Sequence, residues 1–165
     1  MNKLTCSQNS LDSLLTKDLI DILSGNDLYP DTDRIILCFH GDEGHFIMPE
    51  LEESIYEEGE PTGDFRPEEI RRFAKLTGKT VIGTGCSVGK LETAQAFLDS
   101  GCEVYVGPND YPDGNDALMF VLRFFYDLIQ NKRSVKEAFQ NANDSVYDFE
   151  MGRRSVPITS YFITE

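Results

Sequence analysis

Two short apolar runs in this chain end abruptly, each at a residue able to do chemistry. Arg34-Ile-Ile-Leu-Cys-Phe39 stops at His40-Gly41, and Lys79-Thr-Val-Ile-Gly-Thr-Gly85 stops at Cys86-Ser87. Runs of this length read as strands, and the continuous apolarity of the first suits a central strand buried on both faces. The segments around them have helical spacing instead. Ile70, Phe73, Ala74 and Leu76 follow Pro67, which a first helical turn tolerates, with Glu68 and Glu69 beside the positive helix start. Leu91, Ala94, Phe97 and Leu98 share a face before Gly101 supplies a stop. Residues 102–106 make a third strand, and residues 107–114 are turn formers almost throughout. Residues 117–129 read as a buried helix, and Ser134 with Glu137 forms the capping pattern of another.

The rest of the chain fits around this frame. Leucines and isoleucines from Leu11 to Leu23 predict a helix over residues 10–24, and residues 26–33 read as a loop. Residues 44–51 form a small hairpin or an irregular excursion, residues 50–64 an exposed, mobile, glutamate-rich insertion, and residues 156–163 a late strand. Alternation of this kind predicts an α/β fold, a three-layer sandwich with a mostly parallel central sheet. Right-handed crossovers bring the carboxyl ends of parallel strands to one edge, where open α/β sheets bind ligands. His40 and Cys86 both stand at such ends.

The glycines around Cys86 (Gly83, Gly85 and Gly89) permit a tight turn and close approach of another backbone. A thiol between a strand and a helix start feels the helix dipole and free amides, which favour the thiolate nucleophile. A neighbouring imidazole such as His40 can hold the thiol proton and later return it to a leaving amine. The amides of Cys86 and Gly41 are candidate donors to an oxyanion. The other cysteines, Cys6, Cys38 and Cys102, read as core, because free cysteine is among the most buried residue types. His45 reads as an exposed loop residue and is the only other imidazole in the chain. The segment from Thr84 to Lys90 imitates a phosphate-binding loop. However, Thr84 takes the place of its first glycine, and Leu91 that of the magnesium-binding hydroxyl.

Bulk properties narrow the classes further. A chain of 165 residues with 40% hydrophobic composition suits one domain spanning residues 1–165. The net charge of −14 argues against nucleic acid and anionic membrane surfaces as partners, and it can draw in a basic partner or simply keep the chain in solution. The first ten residues lack a secretory pattern, and residues 117–129 are too short to span a bilayer and carry Arg123 and Asp127. Four cysteines without paired spacing point to a reduced, cytoplasmic chain, and no metal-ligand cluster or cofactor motif is present in the sequence.

Taken together, these residues resemble the caspase-like cysteine peptidases and, among them, the CHAT domains. The resemblance rests on the apolar strand ending in His40-Gly41 and on the strand ending in Cys86. The two residues stand 46 positions apart, near the spacing of about 50 in caspase-type chains. Ala94-Gln-Ala-Phe-Leu-Asp-Ser-Gly101, Phe124-Phe-Tyr-Asp-Leu-Ile129 and Ser134-Val-Lys-Glu-Ala-Phe139 resemble later family motifs, so the match runs over residues 34–143. The resemblance implies a His40–Cys86 dyad, an oxyanion hole at Gly41, and peptide-bond hydrolysis without metal or cofactor. It also implies that Thr84, two before the nucleophile, helps judge the substrate's side chain; relatives that prefer basic side chains often carry an acid there, and Asp110 or Asp113, in the loop after the third strand, is the candidate source of that missing charge. Cys86-Ser87-Val88-Gly89 departs from the family's Cys-x-Ser-Gly. The short stretch before residue 34 leaves room for a sheet truncated at its N-terminal side, with an open edge for a regulatory protein or a second copy.

Three readings follow. The first is a cysteine endopeptidase in a bacterial signalling or defence system, acting on a protein or peptide substrate and restrained until a partner binds. The second is a catalytically silent caspase-like interaction module. The third is another cysteine hydrolase or amidase on a similar sheet, which a small closed pocket around Cys86 would favour.

Overall fold

The computed structural model describes residues 15–145, 147–148, 153–154 and 158–162. Along the chain it contains α1 (Thr16–Ser24), β1 (Arg34–Leu37), β2 (Gly41–Asp42), β3 (His45–Phe46), α2 (Pro67–Phe73), β4 (Thr80–Gly83) and α3 (Leu91–Asp99). These are followed by β5 (Val104–Pro108), α4 (Gly114–Ile129), α5 (Val135–Ser145), β6 (Tyr147–Asp148), β7 (Arg153–Arg154) and β8 (Ile158–Phe162). The fold is mixed α/β. Its main sheet has the order β1-β4-β5-β8, with β1, β4 and β5 parallel and β8 antiparallel to β5. The late strand expected over residues 156–163 is β8. The start of the first expected helix, residues 10–14, lies outside the described residues, as does Cys6.

Alternation along the strands divides the core between two faces of the sheet. Ile35, Leu37, Val81 and Tyr105 pack with Leu19, Leu23, Ile70, Ala94 and Phe97 from α1, α2 and α3. Ile82, Val104 and Val106 pack with Phe120, Phe124, Leu128, Ala138 and Ala142 from α4 and α5. Phe97 stacks on Tyr105 with ring centroids 4.5 Å apart and meets the edge of Phe46, which fixes α3 against the middle of the sheet. Pro67 does open α2, and Gly101, at φ 87°, follows the end of α3. Ser134 and Glu137 form the expected box at α5: the Ser134 amide donates to the Glu137 carboxylate at 3.0 Å and the Glu137 amide to the Ser134 hydroxyl at 3.3 Å.

Several expectations are corrected. β1 is not a central strand buried on both faces but the edge of the described sheet. Its residues alternate, with Ile35 and Leu37 buried and Ile36 39% exposed, because α4 and α5 cover β4 and β5 and leave the same face of β1 open. Cys38, expected in the core, is exposed for the same reason. α4 is not buried all round: Leu118, Met119, Leu122 and Tyr126 are each at least half exposed. Leu91, expected on the inner face of α3, is exposed, and Thr93, Ala94, Ala96 and Phe97 form that face. The small hairpin begins at Gly41 rather than residue 44. Its two-residue turn is Glu43-Gly44, both with positive φ (43° and 91°), as primed hairpin turns require. Residues 50–64 are largely exposed, as expected of an insertion. Among the described residues no helix is long and apolar enough to cross a membrane.

Asp127, only 1% exposed, ties the second helical layer together. Its carboxylate accepts from Asn131 at 2.5 Å, from Asn141 at 2.8 Å and from Arg123 at 3.0 Å, joining α4 to the following loop and to α5. These donors, Asn131 foremost and then Asn141, hold the carboxyl below its ordinary range. A group with a depressed folded-state pKa stabilises fully above its unfolded value and loses that contribution as pH falls through the folded one. Asp127→Ala is therefore expected to lower Tm at pH 7. The gap from wild type should narrow below about pH 4, where unfolded carboxyls protonate. Thermal melts at pH 7, 5 and 3 check this, and a gap unchanged at pH 3 contradicts it.

Candidate active site at the ends of β1 and β4

The β1–β4 register brings the two sequence-predicted residues to the same end of the sheet. Leu37 is paired with Gly83, and His40 and Cys86 each stand three positions beyond this pair. The strands stay together past their formal ends, since the Thr84 amide donates to the Leu37 carbonyl at 3.0 Å. Beyond that point the two backbones touch. A methyl group on Gly85 would lie 2.6 Å from the Phe39 carbonyl oxygen, 3.0 Å from the Gly41 nitrogen and 3.2 Å from the His40 carbonyl carbon. One on Gly41 would lie 2.6 Å from the Cys86 carbonyl oxygen and collide with the Val88 side chain. Only glycine at both positions allows this approach. His40 is exposed and Cys86 half-buried, so both are open to solvent.

Residues 85–89 form a turn held from three sides. The Ser87 amide donates to the Asp110 carbonyl at 2.8 Å, and the Gly89 amide to the Pro108 carbonyl at 2.8 Å. From below, the buried Tyr105 hydroxyl donates to the Val88 carbonyl at 2.9 Å. Ser87 itself is 2% exposed and sits in the left-handed region at φ 56°, a conformation that costs a non-glycine residue of order 1–3 kcal/mol. Among the described residues the Cys86 amide donates to no backbone acceptor, whereas the amides of Ser87 and Gly89 are taken.

α3 does not begin at the cysteine. Its first residue is Leu91, so the turn separates Cys86 from the helix. The dipole effect falls off within a helix's first turn, and the expected activation by the helix start is corrected accordingly.

The remaining candidates divide. Thr84 donates to the Leu37 carbonyl at 3.4 Å and lines a small apolar dent with Pro108, Ala117, Phe120 and Val121. Asp110 touches the Cys86 turn through its carbonyl, while its carboxylate accepts from the Tyr111 amide at 3.1 Å. Asp113, exposed, caps the start of α4 and accepts from the Ala117 amide at 3.0 Å through its carbonyl. Asp110 is thus next to the turn, and Asp113 belongs to the helix start. His45 is not a loop residue. It lies in β3, largely buried, with Nε2 3.3 Å from the Asp64 carboxylate. Beside it is an open polar cavity of about 180 Å³ with Arg66, Lys90 and three glutamates in its wall.

The thiols are also distinct. Cys102 is buried and burial pushes it up to about 11, which leaves it inert near neutrality. One pair was not anticipated from sequence: Tyr111 donates its hydroxyl to the Asp42 carboxylate at 2.5 Å. The residues are 69 positions apart and carry no local motif. Among the described residues no group of three His, Cys, Asp or Glu side chains could hold a metal ion. No family model matches the chain, and no curated protein does.

The Gly41–Gly85 contact can be tested by overpacking it. Gly85→Ala is expected to cost about 1–3 kcal/mol in urea unfolding, because the clash is with backbone. Gly114→Ala, where a methyl meets open space, should stay within about 0.5 kcal/mol of wild type or gain slightly. Equal effects would show that the contact at Gly85 is not close.

Proposed function

We propose that this chain is a caspase-like cysteine peptidase that hydrolyses peptide bonds through His40 and Cys86. The observation that carries the reading is the register: Leu37 opposite Gly83, with His40 and Cys86 equally far beyond it on touching backbones. The left-handed Ser87 adds support, since strained backbone gathers at functional turns. So does the Cys86 amide, which donates to no backbone acceptor among the described residues. In this reading the α/β fold is the family's three-layer sandwich, with β1 at the edge of the described sheet, and the chain acts as one domain in the cytoplasm.

The chemistry needs only these groups and water. His40 takes the proton of Cys86, and the thiolate attacks the peptide carbonyl to form a carbon–sulfur bond. The oxyanion that develops accepts from the amides of Gly41 and Cys86. As the carbon–nitrogen bond breaks, the His40 imidazolium gives its proton to the leaving amine. A water molecule, losing its proton to His40, then attacks the thioester; the acid leaves and the Cys86 thiol is restored. Thr84, two before Cys86, is the residue that would help judge the substrate's side chain. Asp110, whose carbonyl accepts from the Ser87 amide, is the candidate source of charge for a basic substrate side chain.

The test is hydrolysis of a degenerate fluorogenic peptide library by wild type, Cys86→Ala and His40→Ala, with circular dichroism to check folding. Wild type is expected to cleave, and each variant to lose at least about a thousandfold while keeping its fold. Cleavage that survives Cys86→Ala, or none by wild type on any sequence, removes the proposal.

A second reading, a silent module that binds a partner at the open sheet edge, is favoured by one observation. β1 is an edge strand whose Ile36 is exposed, next to a helical layer whose α4 also presents apolar side chains. Edge strands pair readily with another chain. If the partner is a second copy, sedimentation should show concentration-dependent association that Ile36→Lys abolishes. An unchanged monomer in both chains contradicts that form of the reading.

A further inference from the structure

One helix of the second layer is apolar on two faces. α4 buries Phe120, Phe124 and Leu128 in the core it shares with the sheet and α5. On its other side Leu118, Met119, Leu122 and Tyr126 are each half or more exposed, with Phe125 and Ile129 only partly buried beside them. At 3.6 residues per turn these six fall within about a third of the helix circumference. Asn115 is the one polar residue of α4 that shares the stripe. The other exposed large apolar residues among those described stand singly on separate segments. Single ones are ordinary, whereas a contiguous stripe marks a surface that another surface covers.

The charges at the two ends of this stripe say what covers it. Asp110, Asp113 and Asp116 stand before and within the first turn of α4, and no Lys or Arg lies between Gly107 and Leu122. Lys132, Arg133 and Lys136 follow its end, all exposed, and the Arg133 amide donates to the Asp127 carbonyl at 3.0 Å, which turns this basic segment back onto the helix. Arg133 lies 3.7 Å from Glu137, but among the described residues no ion pair engages Asp113, Asp116, Lys132 or Lys136. The stripe therefore complements itself when reversed. About a two-fold axis at Leu122, residues equally far from it meet. Leu118, four before, faces Tyr126, four after; Asp113, nine before, stands beside Asn131 and Lys132, nine and ten after. A parallel pairing would set Asp113 on Asp113 and Lys132 on Lys132. A uniformly basic foreign partner would suit the acidic end and meet like charge at the other. The net charge of −14 opposes self-association at long range, but residues 50–64 hold seven acids and no base, and Glu57 there pairs with Lys17 of α1, on the other face of the sheet. At about 0.15 M salt, exposed charges more than about 8 Å apart are largely screened.

We propose that the outer face of α4 is a self-association surface on which a second copy of this chain packs antiparallel about Leu122, apolar stripe on apolar stripe and acidic end on basic end. The β1 edge takes no part in this pairing, and neither do His40 and Cys86, so the inference is independent of the peptidase reading. One helix pair is small among specific interfaces, which puts the expected dissociation constant at about 10–100 μM.

The test is sedimentation velocity across the micromolar range at about 0.15 M salt, where screening leaves only near charges to act, with melting curves to check that each exposed substitution leaves the fold intact. Wild type is expected to dimerise with rising concentration. Leu122→Asp, which sets two carboxylates face to face at the axis, should remain a monomer, while Ile36→Lys on β1 should dimerise as wild type does. Asp113→Lys and Lys132→Asp, each tested alone, should weaken the dimer about three- to tenfold, because each puts like charges at both ends. An equimolar mixture of the two should recover the wild-type strength, since unlike charges then meet at both ends. A wild type that stays monomeric overturns the proposal, as does association that survives Leu122→Asp. Association lost in Ile36→Lys but kept in Leu122→Asp places the second copy at the sheet edge instead. Loss in Leu122→Asp with no effect of either charge variant overturns the antiparallel pairing.

Discussion

The approach of two backbones at Gly41 and Gly85 is the constraint on which the rest of this molecule depends. Parallel strands ordinarily separate once their ladder ends, each turning to its own helix. Here β1 and β4 remain in contact for three more residues because neither glycine has a Cβ to hold them apart. A chemically useful imidazole and thiol thereby leave the sheet at the same point. Everything beneath serves that contact. Tyr105 supports the turn at Val88, Phe97 stacks on Tyr105, and Phe46 of the hairpin packs on Phe97.

The two faces of the sheet are covered unequally. Helices α1 to α3 cover β1, β4 and β5 on one face, whereas α4 and α5 cover only β4 and β5 on the other. The His40 side of the site is therefore carried by an edge strand with a half-covered face, and the Cys86 side by a strand buried throughout. Cys86 thus follows the enclosed strand, and His40 follows the open one. A restrained peptidase and a binding module differ, on this view, in whether the edge supports the site or has replaced it.

Much of the frame was legible from residues alone. β4 and β5 were plain because short apolar runs buried on both faces leave little alternative, and Pro67, Gly101 and the Ser134–Glu137 box mark helix ends by local chemistry. The misreadings have a common cause: apolar composition does not say which faces find a cover. Arg34-Ile-Ile-Leu reads the same at the centre of a sheet or at its edge, so Ile36 and Cys38 were placed in a core that does not extend to them. α4 carries apolar side chains on its outer as well as its inner face, and only tertiary packing distinguishes the two. The hairpin starts before residue 44 because Glu43 adopts a positive φ that its residue type does not advertise. The Tyr111–Asp42 bond joins segments far apart in sequence, each with an ordinary local reason to be polar. The strand-end pairing of His40 with Cys86, by contrast, was a topological expectation, and the register agrees with it.

The central claim is that His40 acts on the Cys86 thiol, and it is tested most directly by the pH profile of Cys86 alkylation in wild type and in His40→Ala. The account predicts a wild-type profile that rises well below the pH of about 8.5 at which an ordinary thiol becomes reactive, and a return to the ordinary profile when the imidazole is removed. Two superimposable profiles, both rising where a free cysteine does, would mean that the imidazole and the thiol share an end of the sheet without sharing a proton.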